Sequence, residues 1–355
     1  MSRIRVKDNG LFSIYPNILF RGPQEFHCPE EKLEHVTSIL DEKGIAYEVI
    51  EGDVVVEAVK APPTPPVDDV PPDGPPLYNP NKDFSKYVSD NGLVSNLKED
   101  PKDERDFLVR SVLNEPPDKL MSSGVEYKDE MSPVKDQGQL GSCVGFAVAA
   151  MKEWQESTEH LEEVAEGKDD HRDGKVYDYS EQWIYYNCKA IDPWPDEEGT
   201  SIRYAFSILR NKGVPTESAW PYSDVEIGEP QSWSYLIARW ASGGSYFRIA
   251  SPEELVQTLI ENGPCVIGIY CFYEIFYPRN GIVDYPEDPQ MWYGGHAICI
   301  TGWDPITRMF TFKNSWSKYW GDGGYGYLPY EFIKDFMLDA WVLKDIAVSK
   351  DMLVA

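Results

Sequence analysis

Cysteine is scarce: six in 355 residues, at positions 28, 143, 188, 265, 271 and 299. That density is far from a disulfide scaffold, and with no CxxC pair a structural zinc site is not expected. Long apolar runs are missing too. No stretch approaches the ~18 consecutive apolar residues of a membrane-spanning helix. The N-terminal MSRIRVKDNGLFSIYPNILFRG breaks its apolar part at Ser13, Pro16 and Asn17 and offers no small-residue cleavage site, so no secretory signal is expected. The expectation is a cytoplasmic protein, or part of an intracellularly made assembly. Positive charge is short as well: 33 Lys+Arg against 60 Asp+Glu leave a net charge of −27. Such a chain is repelled by phosphate backbones and anionic lipids, which excludes non-specific nucleic-acid binding and membrane-surface binding.

What is present fits a globular protein of more than one domain, with 42% hydrophobic and 13% aromatic residues. Residues 1–60 read as a small α/β domain for docking or targeting. Residues 11–20 are strand-like, Leu33, Val36, Ile39 and Leu40 repeat at helical spacing, and 46–59 read as a hairpin turning at Glu51-Gly52-Asp53. Residues 61–80 hold nine prolines. They favour extended polyproline and read as a linker, with a Pro-rich ligand as the alternative. Residues 81–130 are polar with scattered apolar positions, as in a segment wrapped over another surface. From 131 to 355 glycine, tryptophan and tyrosine become frequent.

The richest chemistry sits at Gln137-Gly138-Gln139-Leu140-Gly141-Ser142-Cys143. After it Phe146, Ala147, Ala150, Met151 and Trp154 mark one face of a helix. Ser142 is a natural N-cap and Cys143 falls in the first turn, where unpaired N–H groups and the helix dipole favour a thiolate. On this segment alone, a nucleophile and a buried cysteine that merely opens a helix are both open. Two further segments bear on the choice. Gly294-Gly295-His296 enters an apolar strand, and the alternation at Phe310 and Phe312 predicts a strand ending at Asn314. A cysteine nucleophile needs a base, and the base an orienting group. An oxyanion needs donors, which the Gln137 side chain and the Cys143 backbone N–H can supply.

Gln137-Gly138-x-x-Gly141-Ser142-Cys143, His296-Ala297, Asn314-Ser315-Trp316 and Trp320-Gly321-x-Gly323-Gly324-Tyr325, in that order, resemble the papain-like cysteine peptidases. Ser180-Glu181-Gln182 resembles the family's second helix, and Trp220-Pro221-Tyr222 its tyrosine-proline-tyrosine turn. The resemblance implies an α+β, two-lobed fold: a helical lobe (about 131–235), an antiparallel β-barrel lobe (about 236–345) and a cleft between them. It implies thiol-dependent peptide-bond hydrolysis through an acyl-enzyme on Cys143. His296 is then base and acid, Asn314 its orienter, and Gln137 an oxyanion donor. Trp316, Ser142, Gly199 and Gly295 are implied as supporting or substrate-cleft residues. Peptide or protein substrates are implied, with no metal and no organic cofactor.

The pattern also departs from secreted relatives. Leu140 stands where they carry a disulfide cysteine, Val144 where they carry tryptophan, and Gly199-Thr200 where a CNGG stretch is usual. The GQLGSC form resembles bacterial-type, non-secreted relatives. No long helical propeptide is recognisable in 1–130. Residues 81–130 are therefore expected either to lie along the cleft and restrain it or to serve as a tether. Two other functions stay open: a papain-like domain used as a binding module in a larger assembly, or an amidase or transamidase.

Overall fold

The computed structural model describes residues 2–6, 11–15, 18–21, 24–28, 47–50, 87–100, 103, 106–113, 120–165, 177–225 and 228–344. The chain divides into two compact units, Met1–Gly74 and Pro75–Ala355.

In the first unit β1 (Ser2–Val6) is flanked by two strands, with β2 (Leu11–Tyr15), β3 (Ile18–Arg21), β4 (Gln24–Cys28) and β5 (Tyr47–Ile50) following in the chain. The sheet order is β4-β1-β5, antiparallel, while β2 and β3 form a separate antiparallel pair. The strand-like stretch 11–20 is thus two strands, and the strand within 46–59 pairs with β1. The expected helix around Leu33–Leu40, the second arm of the hairpin and the Pro-rich 61–80 lie outside the described residues.

The second unit opens with two short paired strands, β6 (Tyr87–Val88) and β7 (Val94–Ser95), followed by β8 (Val125–Glu126). A helical part follows. Helix α1 (Cys143–Ala165) is its centre, with α2 (Glu181–Lys189), α3 (Ile202–Lys212) and α4 (Ser234–Ala238) around it. Helix α1 is more buried than a one-faced helix: Val144, Val148 and Ala149 are enclosed along with Ala147, Ala150 and Met151. Ser180 caps α2, its hydroxyl accepting from Trp183 N–H at 3.1 Å.

The antiparallel part comprises β9 (Ser245–Arg248), α5 (Pro252–Asn262), β10 (Cys265–Tyr270), α6 (Tyr273–Phe276), β11 (Gly295–Asp304), β12 (Met309–Lys313), β13 (Tyr325–Pro329), α7 (Tyr330–Phe336) and β14 (Met337–Lys344). Sheet order is β13-β12-β11-β10-β14-β9, with β8 added alongside β11. Alternation explains β12: Phe310 and Phe312 enter the apolar cluster with Ile298, Ile300 and Trp303. A second cluster joins α1, α2 and α3 to the other sheet face through Val266, Ala297, Cys299 and Trp341. Cys143 and Ala297 share that second cluster, so the helical part and the sheet meet where the chemistry-bearing residues lie.

Candidate active site

Each polar group of the site comes from the end of an element. Cys143 is the first residue of α1, His296 the second of β11, and Asn314 follows the last residue of β12. The antiparallel register pairs Cys299 with Lys313, which brings the start of β11 beside the end of β12. His296 Nε2 and Asn314 Oδ1 are 2.7 Å apart. The same oxygen accepts from Ser315 N–H at 2.8 Å. An amide oxygen fixed as acceptor requires Nε2 to carry the imidazole proton, which leaves Nδ1 with a lone pair. Nδ1 has no hydrogen-bond partner. Trp316 stacks on the imidazole, ring centres 4.2 Å apart and planes 18° from parallel. Phe276 also stacks with Trp316, ring centres 5.5 Å apart and planes 20° from parallel.

Gln137 is tied to the same corner. Its backbone N–H donates to Ser315 O (2.9 Å), and its side-chain oxygen accepts from the Ser315 hydroxyl (2.6 Å). Its side-chain nitrogen donates to Leu140 O at 3.0 Å and carries a second hydrogen. Ser142 does not cap α1 with its hydroxyl. That group lies 2.6 Å from the Tyr222 hydroxyl, and Tyr222 donates to Gln137 O at 2.7 Å. Tyr222 therefore braces both ends of the 137–142 loop that leads into Cys143, a role the turn motif around it did not reveal.

The thiol is covered. Residues 94–100 form a strap over it, with Val94–Lys98 and Asp100 buried. Leu97 N–H donates to Gly295 O (2.7 Å) and Lys98 N–H to Thr200 O (3.1 Å). Trp316 Nε1 donates to Val94 O at 3.2 Å, and the Ser95 hydroxyl to Tyr293 O at 2.5 Å. Gly199, at φ +82°, lets the strap approach: a Cβ there would stand 1.9 Å from Asn96 O. A Cβ at Gly295 would meet Leu97 O at 2.8 Å.

This cover reverses one expectation. Cys143 and His296 are both 0% exposed. Burial pushes the thiol up to about 11, although the backbone N–H groups of Ala297, Val144 and Asn96 favour the thiolate. Burial likewise pulls His296 down to about 4, opposed by the bond to Asn314. Desolvation outweighs the helix terminus, and the pair beneath the strap is neutral thiol and neutral imidazole.

The loop before Gly199 is held by a residue that the motifs did not single out. Lys189 Nζ reaches Asp192 (3.0 and 3.2 Å), Trp194 O (2.5 Å) and Gly199 O (2.9 Å). Among the described residues, no cluster of three or more His, Cys, Asp or Glu is arranged to hold a metal ion, and no helix is long and apolar enough to cross a membrane.

The family described as papain family cysteine protease matches residues 122–333 of this chain. The chain belongs to that family. It is 28% identical over 227 residues to an uncharacterized peptidase C1-like protein of Acanthamoeba polyphaga mimivirus, covering 59% of this chain and 69% of that protein. It is 30% identical over 200 residues to a viral cathepsin of Spodoptera litura multicapsid nucleopolyhedrovirus, covering 56% of this chain but only 53% of that relative. The crystal structure of xylellain, a cysteine protease from Xylella fastidiosa, superposes with a TM-score of 0.59 at 24% identity, over 77% of this chain and 100% of that one. The α+β papain-like fold, a helical part joined to an antiparallel sheet, is therefore that of the second unit. Four widely separated motifs of this papain-family chain converge on one corner of it.

Proposed function

We propose that this protein hydrolyses peptide bonds through a thioester on Cys143. The Cys143 sulfur attacks the scissile carbonyl carbon and His296 Nδ1 takes the thiol proton. His296 then passes that proton to the leaving amine, and the C–N bond breaks. Water, deprotonated by His296, cleaves the thioester and restores the thiol. Asn314 keeps the proton on Nε2, so that Nδ1 is the basic nitrogen. The Cys143 backbone N–H and the second Gln137 amide hydrogen receive the oxyanion. Gly295 O and the Gly199-Thr200 edge pair with substrate backbone. The observation that carries this reading is the His296–Asn314 bond under the Trp316 ring, with Nδ1 left unpartnered. The finer fold goes with it: lobes of about 131–235 and 236–345, the latter a barrel, with substrate in the cleft between them.

In this reading residues 94–100 occupy the substrate's place. The strap turns the Asn96 N–H toward the sulfur, while Asn96 O lies against Gly199. A donor rather than a carbonyl carbon faces the nucleophile, so the strap blocks without being cut there. An epoxysuccinyl probe is expected to label Cys143, with labelling lost in Cys143→Ala and His296→Ala. Folded, reduced protein that never labels sinks the reading. Leu97→Asp, which charges the centre of the strap, is expected to speed labelling; an unchanged rate in a folded variant rejects the blocking role. We also infer that the Met1–Gly74 unit docks on another protein. Its support is a separate antiparallel sheet ahead of the Pro-rich stretch, and binding retained by a chain lacking that unit would reject it.

A further inference from the structure

The Gln137 amide donates one hydrogen to Leu140 O (3.0 Å), and the same carbonyl accepts from Ser142 N–H (2.8 Å). Where that carbonyl points therefore sets where the second amide hydrogen of Gln137 points. The Leu140 carbonyl shares a peptide plane with the Gly141 N–H, so holding one end orients the other. Gly141 N–H donates to Glu198 Oε2 at 3.0 Å. Other carboxyl groups hold the tip of this loop: Asp136 Oδ1 accepts from Gly138 N–H (2.9 Å) and Asp224 Oδ2 from Gln139 N–H (3.1 Å). Glu198 differs from them because its bond falls on the very peptide that carries the Gln137 acceptor.

Glu198 is itself held in place. The next residue, Gly199, donates its N–H to the Tyr185 hydroxyl (3.2 Å), and its carbonyl accepts from Lys189 Nζ (2.9 Å). Tyr185 and Lys189 both belong to α2. A chain of contacts thus runs from α2 through Glu198 and the Leu140–Gly141 peptide to Gln137, whose side-chain oxygen is fixed at Ser315. Neither the 137–142 loop nor the 190–201 loop contains a cysteine, so no disulfide joins the two. A hydrogen bond at the N–H of a peptide also polarises its carbonyl and strengthens it as an acceptor. Without the Glu198 oxygen the Gly141 N–H loses its partner, the peptide can turn, and the Gln137 amide loses its aim.

We propose that Glu198 is a positioning residue for the peptidase reaction, acting through the Leu140–Gly141 peptide to aim the second Gln137 amide hydrogen at the oxyanion. The inference rests on the peptidase reading above, and its test separates the two. Full-length protein is assayed for hydrolysis of fluorogenic peptides and for alkylation of Cys143 by iodoacetamide. In alkylation the sulfur bonds to a saturated carbon and iodide leaves, so no oxyanion forms. Strap opening and thiol ionisation scale both rates, and the ratio of the two isolates the oxyanion site. Glu198→Ala should lower kcat/KM for hydrolysis, relative to the alkylation rate, by roughly tenfold or more, mostly in kcat. Glu198→Gln keeps an acceptor oxygen and should recover most of that loss. In a Gln137→Ala background, Glu198→Ala should change the ratio little further. If Glu198→Ala fails to fold, Glu198→Met fills the same space without an acceptor oxygen and is read in the same way. An unchanged ratio in the folded variant overturns the proposal, as does an equal loss with Gln137 already removed or an equal loss in Glu198→Gln. Wild type that is alkylated at Cys143 but cleaves no peptide overturns the peptidase reading, and this inference with it.

Discussion

Asn314 Oδ1 serves two donors, Ser315 N–H and His296 Nε2–H. Removing that oxygen frees the imidazole to rotate or to take the other tautomer. Asn314→Ala should therefore lower kcat by about 10²-fold or more with KM little changed, since orientation of the base acts in the transition state. An equal fall in labelling and in thermal stability would instead point to a packing role. The two partners of the His296–Asn314 bond were legible because each sits in a contiguous motif. The thiol's ionisation was not. The helix start argued for a lowered pKa, but a segment more than forty residues upstream covers the sulfur and reverses the sign. Burial by a distant part of the chain leaves no local pattern in sequence.

Among the elements, the loop between α2 and α3 shows what took the place of the missing CNGG stretch. Lys189 gathers one carboxylate and two carbonyls through a single ammonium group, fixing Gly199 next to the strap. Lys189→Met leaves those oxygens without their donor and should raise KM severalfold with a smaller effect on kcat; Lys189→Arg should restore part of the loss. At Gly199 itself a methyl group clashes with Asn96 and with a backbone at φ +82°. Gly199→Ala should therefore speed Cys143 labelling by a small probe, because the strap no longer seats. Strand β12 was readable from alternation and helix α1 from the helical spacing of Phe146, Ala147, Ala150, Met151 and Trp154. The strap was readable only as one of two alternatives for residues 81–130, because its partners Thr200, Gly295, Tyr293 and Trp316 are a hundred or more residues away and backbone pairing places no demand on side-chain type.

For the molecule as a whole, closure of the strap is linked to pH. Asp100 and Asp339 are buried together, and burial raises both carboxyls above their usual range, the charge of Asp100 raising Asp339 further. Hydrogen bonds from Trp341 Nε1 (2.6 Å) and Arg203 N–H (3.1 Å) to Asp100 oppose this, as does the charge of Arg248. A carboxyl raised in the closed state and ordinary in the open one binds its proton more tightly when closed. Closure is therefore favoured at low pH and weakens as pH rises through the raised values. Cys143 labelling should accelerate as pH rises above the usual carboxyl range, more steeply in wild type than in Asp100→Asn, which lacks one titrating member; parallel profiles would reject the link. At this scale the sequence revealed composition and motif order. The pairing of Asp100 with Asp339 lay beyond it, because nothing in either neighbourhood marks the other.

The cover over Cys143 also bears on durability. The thiolate attacks peroxides and disulfides, and these reagents need access to it. Beneath residues 94–100 the sulfur is enclosed and its pKa is raised, so neither condition is met. Closed protein kept in peroxide should retain its full latent activity once the reagent is removed, whereas the same exposure after strap opening should oxidise Cys143 and extinguish it. The segment proposed to withhold Cys143 from substrates is thus expected also to set the protein's shelf life in an oxidising medium.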